Sequence, residues 1–122
     1  MKPGKTGIAR IVDATQYSFR GLRACWRHEA AFRQEVLLCA ALTPAAFWLA
    51  RSVPEWLQLM TPLFVLLVVE LLNSAIESTV DRIGDERHEL SGRAKDMGSA
   101  AVMVVLVWIA CAWGALLWAR FA

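Results

Sequence analysis

Three apolar blocks divide this chain, each bounded by charge. The last is the clearest: Gly98 to Ala119 is 22 residues without a charged side chain, enough at about 1.5 Å per helical residue to cross a hydrocarbon layer of about 30 Å. Val36 to Ala50 is apolar but shorter, and reaches spanning length by taking in Ala30, Ala31 and Phe32. Pro44 removes a backbone donor inside it, which predicts a kink. A middle block opens near Pro54 or Trp56 and stays apolar to Val69. The pattern predicts three membrane-spanning helices, over about 30–50, 54–80 and 97–119. Ahead of them, TGIARIVDATQYSFRGLRACW places Ile8, Ile11, Val12, Phe19, Leu22 and Trp26 on one side of a helix, with Arg10, Arg20 and Arg27 opposite. That is the pattern of a helix lying in a membrane surface, over about 6–27, with Gly21 as the point where it is expected to bend or break. Anchoring alone would account for such a helix.

At 122 residues, 57% hydrophobic and with a mean hydropathy of +0.43, the chain is too short for two ordinary domains and too apolar for a typical soluble one. Residues 1–122 read as one all-α membrane-embedded unit. Lys2, Lys5, Arg10, Arg20, Arg23, Arg27 and Arg33 precede the first block, and Arg82, Arg87, Arg93 and Lys95 lie between the second and third. Only Arg51 and Arg120 fall elsewhere, so the basic-inside rule places the N-terminus and the second loop in the cytoplasm. The first strong apolar run starts too late, and after too much charge, for a cleaved signal peptide, so the mature chain is expected to begin at or near Met1. Cys25, Cys39 and Cys111 have no metal or redox spacing and read as small apolar fillers. The net charge of +2 is small and its basic excess hugs the membrane, which argues for headgroups or phosphates and against duplex nucleic acid.

The middle block raises the chemical question, because it continues as VELLNSAIE. On a helical wheel Glu70, Asn73, Glu77, Asp81 and Gly84 share an arc of about 80°, with Ser74 beside it. Counting from Pro54 puts Glu70 roughly one turn below the cytoplasmic interface and Glu77 above it, about 10 Å away. A carboxylate at that depth costs several kcal/mol unless it is protonated, paired or facing water, so it is a candidate site by default. The alternative is a structural Glu70 bonded to Asn73 or to a neighbouring helix. Three acids and an amide in one stripe favour chemistry: one carboxylate as general base, others holding a metal. The loop above the stripe carries Arg87, His88, Arg93 and Lys95, residue types that neutralise phosphate, and Glu29 and Glu35 sit at the same level. Together these describe phosphoryl transfer at a lipid boundary, without a Walker A or protein-kinase glycine loop.

The segments GLRA (21–24), EAAFRQE (29–35), NSAIE (73–77), VDRIG (80–84) and HELSGRAKDMGSAAV (88–102) closely resemble, in order and over nearly the whole chain, the small bacterial integral-membrane diacylglycerol kinases. The resemblance implies a homotrimer of three-span subunits in the inner membrane, each with a surface helix, which uses MgATP to convert diacylglycerol to phosphatidic acid. It implies Glu70 as the base that takes the proton of the lipid hydroxyl, supported by Asn73, and Glu29 and Glu77 as the carboxylates that bind metal together with ATP. Arg10, Tyr17, Glu86, Arg87, His88, Lys95 and Asp96 match the nucleotide-binding positions, although Arg87 stands where the family is expected to have an aromatic.

For the lipid, the resemblance implies Arg10, Ala14, Thr15, Gln16, Tyr17, Ser18 and Phe19 on the surface helix, then Arg23, Ala24, Cys25 and Trp26. It adds Ala31, Phe32, Arg33, Gln34 and Glu35, then Trp48, Leu49, Ala50 and Arg51, and finally Trp56, Glu70, Ser99 and Trp113. Cys25 and Arg51 are the least typical of these. Hard oxygen ligands beside phosphate favour Mg²⁺, and Mn²⁺ fits the same donors. Small residues at Gly98, Ser99, Ala100 and Ala101 suit close helix packing. Two other readings stay open: an undecaprenol kinase of the same fold, and a small proton-coupled transporter, which would need the membrane glutamate but not the basic loop.

Overall fold

The computed structural model describes residues 6–122; Lys2 and Lys5, counted in the charge asymmetry, lie outside the described residues. Four helices follow one another: α1 (Gly7–His28), α2 (Ala30–Leu49), α3 (Val53–Ile83) and α4 (Glu89–Phe121), with no strand among the described residues. The surface helix runs straight through Gly21, where a break was expected; the glycine is exposed and nothing crowds it. A single exposed glycine costs a helix only about 1 kcal/mol relative to alanine, which the surrounding helix carries. α2 likewise stays helical across Pro44. Beside it, the Thr43 hydroxyl donates to the carbonyl of Cys39 at 2.6 Å.

Both long helices extend beyond their apolar runs. α4 begins at Glu89, ahead of the span expected over about 97–119, because helix formation does not stop where hydropathy does: the His88 side chain caps it, accepting from Leu90 N–H at 3.0 Å. Arg93 and Glu89 then pair at 2.8 Å across the first turn. α3 starts behind Ser52, whose hydroxyl accepts from Glu55 N–H, with Pro54 in its first turn, where a missing donor does no harm. Among the described residues two helices, α3 and α4, are long and apolar enough to cross a membrane. α2, the expected first span, has 20 residues and begins with Arg33, Gln34 and Glu35 in its first two turns, which shortens its apolar part.

α3 and α4 pack side by side in opposite directions, the most extensive pairing in the molecule, with α2 against α3 and α1 lying across the top of both α2 and α3. The core fills the half of the bundle away from the acidic stripe: Leu59, Leu63 and Leu66 of α3, Val105, Ile109, Trp113 and Leu116 of α4, and Cys39, Ala46 and Leu49 of α2. Polar groups stitch this half together through backbone carbonyls. Gln58 donates to Ala112 O at 2.9 Å and Trp113 Nε1 to Leu59 O at 3.1 Å. At the far end Arg120 donates to the Leu49 carbonyl and pairs with Glu55 at 2.8 Å. In an apolar surrounding such bonds satisfy groups that would otherwise be costly to bury.

Candidate active site

Where the leucine core ends, α3 turns polar. Glu70, Asn73 and Ser74 are the buried polar residues among the described residues, with Glu70 only 4% exposed. They meet the chain break between α1 and α2. Glu29 lies at that break in an extended conformation (φ −118°, ψ 105°), closing α1 and opening α2 at once. Arg33 reaches back to cap α1, donating to the carbonyls of Trp26 at 2.6 Å and Arg27 at 3.1 Å. This turn carries Glu29 and Glu35 to the same side of α3.

The result is a cavity of about 340 Å³ lined by Glu29, Glu35, Glu70, Asn73 and Glu77, with Ser99 and Val102 of α4 closing one wall. Glu35 reaches this cavity from α2, and Glu70 and Glu77 reach it from α3. Glu35 Oε2 and Asn73 Oδ1 are buried without a partner. Gly98 of α4 backs Asn73 so closely that a Cβ there would stand 2.0 Å from its Oδ1.

Above this lies a second, wider cavity of about 590 Å³ between the ends of α3 and α4. Glu86, Arg87, His88 and Lys95 line it, with Asp81 and backbone from Gly84 to Glu89. Lys95 pairs with Asp81 at 2.7 Å, and that carboxylate holds the ammonium above its usual range. His88 spends Nδ1 on the helix cap and also lines the cavity. A carboxylate cavity set beneath a loop of cations suits a reaction that moves a phosphoryl group from water to a membrane boundary. Its sequence relatives decide which one.

The family described as prokaryotic diacylglycerol kinase matches residues 16–117. The chain belongs to that family. It is 48% identical over 121 residues to a diacylglycerol kinase of Escherichia coli K12, covering 99% of both chains. Identity is 53% over 114 residues to one from Pseudomonas aeruginosa, 93% of each chain. A Haemophilus influenzae diacylglycerol kinase is 44% identical over 112 residues, 92% of this chain and 95% of that one.

In this kinase-family chain the expected site residues fall into groups. Glu29, Glu70, Asn73 and Glu77 meet in the acidic cavity, joined by Ala31, Glu35 and Ser99 from the lipid set. Glu86, Arg87, His88 and Lys95 meet in the loop cavity, while Asp96 is exposed and does not line it. Arg10 and Tyr17 are exposed on α1 and line neither cavity. Of the surface-helix lipid set, Thr15 and Ser18 turn their hydroxyls back onto the carbonyls of Ile11 and Ala14. Gln16, Phe19, Arg23, Ala24 and Trp26 are exposed, and Cys25 is buried, its thiol donating to Ser74 Oγ at 3.5 Å. Burial pushes that thiol up from its usual range, more than the Ser74 contact lowers it. Phe32 is buried, Gln34 exposed, and Arg33 engaged as the cap of α1. Trp48, Leu49, Ala50, Arg51, Trp56 and Trp113 lie at the opposite end of the bundle, around the α2–α3 turn. There Leu49 and Trp113 are closed into the core.

Two members of the site were not singled out for the roles they hold. Glu35, matched to the lipid contacts, lines the same cavity as Glu70; in sequence it is six residues from Glu29, off the same face of any continuous helix, and the break at Glu29 brings both to one cavity. Gly98 was read as a packing residue, and the missing signal was its partner Asn73, twenty-five positions away.

The acidic cavity can be tested as a metal site. Among the described residues no three His, Cys, Asp or Glu side chains are gathered as a ready cage. Glu29 and Glu77 nevertheless offer carboxylate oxygen, and the orphaned acceptor Asn73 Oδ1 lies in the same cavity. That donor set fits Mg²⁺, which is bound by one or two carboxylates plus substrate phosphate more often than by an all-protein cage.

Proposed function

We propose that this chain is an ATP-dependent lipid kinase that phosphorylates diacylglycerol to phosphatidic acid at the cytoplasmic face of a bacterial inner membrane. The observation that carries this reading is the stacking of two cavities along α3: a buried Glu70 in a carboxylate cavity, and directly above it a loop cavity lined by Arg87, His88 and Lys95. The named relatives supply the acceptor.

In this mechanism Glu70 accepts the hydroxyl proton of diacylglycerol as that oxygen attacks the γ-phosphorus, and ADP leaves. Burial among Leu66, Asn73 and Ser74 keeps water from competing at the reacting centre. Lys95, His88 and Arg87 neutralise the phosphates from the aqueous side, and Asn73 fixes the floor beside the base. Glu29 and Glu77 would hold Mg²⁺ with the phosphate oxygens, the ion supplying neutralisation of the charge that develops there. Catalysis is then positioning and electrostatics.

The same reading includes three spans per subunit, N-terminus inside, and a homotrimer. The basic asymmetry supports the orientation. The short apolar part of α2 is shielded on one side by α3, which supports a third span. Arg10 and Tyr17, matched to nucleotide contacts yet not lining the loop cavity, support a site completed by a neighbouring copy. Exposed Met103, Val104 and Val107 on α4 offer it an apolar surface.

The test is a phosphorylation assay of the purified protein in mixed micelles with labelled ATP, offering diacylglycerol and undecaprenol side by side. Labelled phosphatidic acid is expected. Label on undecaprenol alone would move the acceptor, and proton-coupled uptake by proteoliposomes without ATP turnover would replace the kinase by a transporter.

A further inference from the structure

α1 ends and α2 begins at Glu29 without a residue type that stops a helix. Between Gly21 and Pro44 the chain has neither glycine nor proline, and its alanines, leucines, arginines and glutamates are among the better helix formers. Local propensity favours one continuous helix. Gly21, the nearest glycine, lies inside α1 and leaves it helical. Yet Glu29 stands in an extended conformation, φ −118° and ψ 105°, and the two helices part there.

The hydrogen bonds at the end of α1 show what holds the break open. Glu29 N–H donates to Cys25 O at 2.9 Å, the last bond of the α-helical ladder. In a helix continuing past Glu29, Trp26 O would accept next from Ala30 N–H and Arg27 O from Ala31 N–H, each four residues on. Instead both carbonyls accept from one nitrogen of the Arg33 side chain, Nη1, at 2.6 Å and 3.1 Å. The guanidinium occupies the two acceptors that the next turn would use. Its charge also meets the negative end of the α1 dipole. Arg33 N–H donates to Glu29 O at 3.3 Å, so the residue that closes α1 also helps to open α2.

What the break positions is Glu29. Its side chain lines both the acidic cavity and the cleft between α1 and α3. Were the helices fused, α1 would continue the axis of α2 instead of lying across α3, and the contact of the Cys25 thiol with Ser74 Oγ would be lost.

We propose that Arg33 is the positioning residue for Glu29: by occupying the carbonyls of Trp26 and Arg27 it keeps α1 and α2 from fusing, and so holds the Glu29 carboxylate in the acidic cavity. The family resemblance implies a lipid contact for Arg33, whereas its partners here are backbone carbonyls of its own chain. The inference rests on the reading of Glu29 as a member of the site.

If Arg33 acts by breaking a helix, an unrelated breaker must be able to replace it. Ala30 is the first residue of α2, where the missing N–H of a proline does no harm, and the extended Glu29 suits a residue that precedes proline. The variants are Arg33→Met, which keeps the stem and has no donor, Ala30→Pro, and the two together. All carry Cys111→Ala, which removes the exposed cysteine and leaves Cys25 and the buried Cys39. Two readouts are taken in mixed micelles: turnover with MgATP and diacylglycerol, and the rate at which a maleimide labels Cys25, located by mass spectrometry. R33M is expected to lose about 100-fold in kcat, the scale of a displaced site group. Its Cys25 should label about tenfold faster or more as α1 leaves α3. A30P alone should stay within about threefold of its background in both readouts, and R33M/A30P should return to within about tenfold of it in kcat, with slow labelling.

A raised lipid KM in R33M, with kcat and Cys25 labelling unchanged, would return Arg33 to the lipid contacts. R33M/A30P as damaged as R33M, whether inactive or misassembled on gel filtration, would also overturn the proposal. The labelling needs no turnover: fast labelling in R33M that A30P reverses upholds the break even in a chain inactive on diacylglycerol, where the functional reading alone falls.

Discussion

Gly98 of α4 lies so close to Asn73 of α3 that a single added methyl would come within 2.0 Å of the Asn73 Oδ1 and 3.1 Å of its Cγ. No side chain tolerates that approach, so Gly98→Ala must either rotate Asn73 or part the two helices. Either response moves the floor of the acidic cavity. G98A is expected to remain membrane-inserted and to lose most of its activity, measured as turnover at saturating ATP and lipid. Ala101→Gly, one turn along on the same helix, is the control and should stay within a few-fold of wild type. An active G98A would mean that Asn73 has a second acceptable position.

The division of labour among carboxylates predicts different failures. Glu29→Ala and Glu77→Ala remove proposed metal ligands and are expected to raise the Mg²⁺ concentration needed for half-maximal activity, with partial rescue at high Mg²⁺. Glu70→Gln keeps shape but cannot accept a proton; it is expected to fold, bind ATP and lose nearly all turnover at every Mg²⁺ concentration. Chelation of divalent ions should stop the wild-type enzyme. Identical, unrescuable loss in all three variants would argue against the assignment.

Lys95 and His88 face the loop cavity from the base of α4. Lys95→Ala removes a cation whose charge the neighbouring Asp81 secures, and the expected result is a KM for ATP raised by about tenfold or more. His88→Ala also deletes the cap of α4, at a cost of about 1 kcal/mol of helix stability, so a thermal melt must accompany its kinetics. His88→Asn restores the cap and isolates the effect on nucleotide.

Two ion pairs of the described residues outside the site are not equivalent. Arg93–Glu89 is open to solvent, with side chains 56% and 82% exposed, and such pairs contribute little. The Arg120 side chain is 9% exposed and holds both Glu55 and the Leu49 carbonyl, tying the end of α4 to the α2–α3 turn. Arg120→Ala is expected to lower the thermal midpoint in detergent clearly, while Arg93→Ala should leave it unchanged. Equal midpoints for the two would show that the tie is replaceable.

Cys25 gives a probe of the α1–α3 contact. Buried against Ser74 and with its thiol pushed up by that burial, it should react slowly with a maleimide at pH 7 to 8. Ser74→Ala removes the partner without opening the contact and should change little, whereas a bulky side chain such as Trp at Ala24, which lines the α1–α3 cleft, should lift α1 and expose the thiol. Fast labelling of the wild type would show that α1 leaves α3 often.

The stripe Glu70, Asn73, Glu77 was legible because it lies on one helix, and helical periodicity alone brings such residues to one face. The basic loop was legible for the same reason, since Arg87, His88 and Lys95 are near one another in sequence. Apolar run length marked α3 and α4 as long helices and could not show that α4 starts ahead of its apolar run, because caps and i,i+4 pairs extend a helix into water where hydropathy falls silent.

What the amino-acid sequence determined by itself was therefore local: an all-helical chain, its long apolar helices, and an acidic stripe beneath a cationic loop, all set by periodicities of a few residues. Tertiary structure alone decided the rest. It brought Glu35 of α2 into one cavity with Glu70, set Gly98 against Asn73, locked Arg120 onto Glu55 and laid Arg33 over the last turn of α1. Each joins residues whose separation along the chain carries no period, and each depends on how closely two helix backbones approach, a distance fixed by the packing of both faces at once and written in neither helix separately.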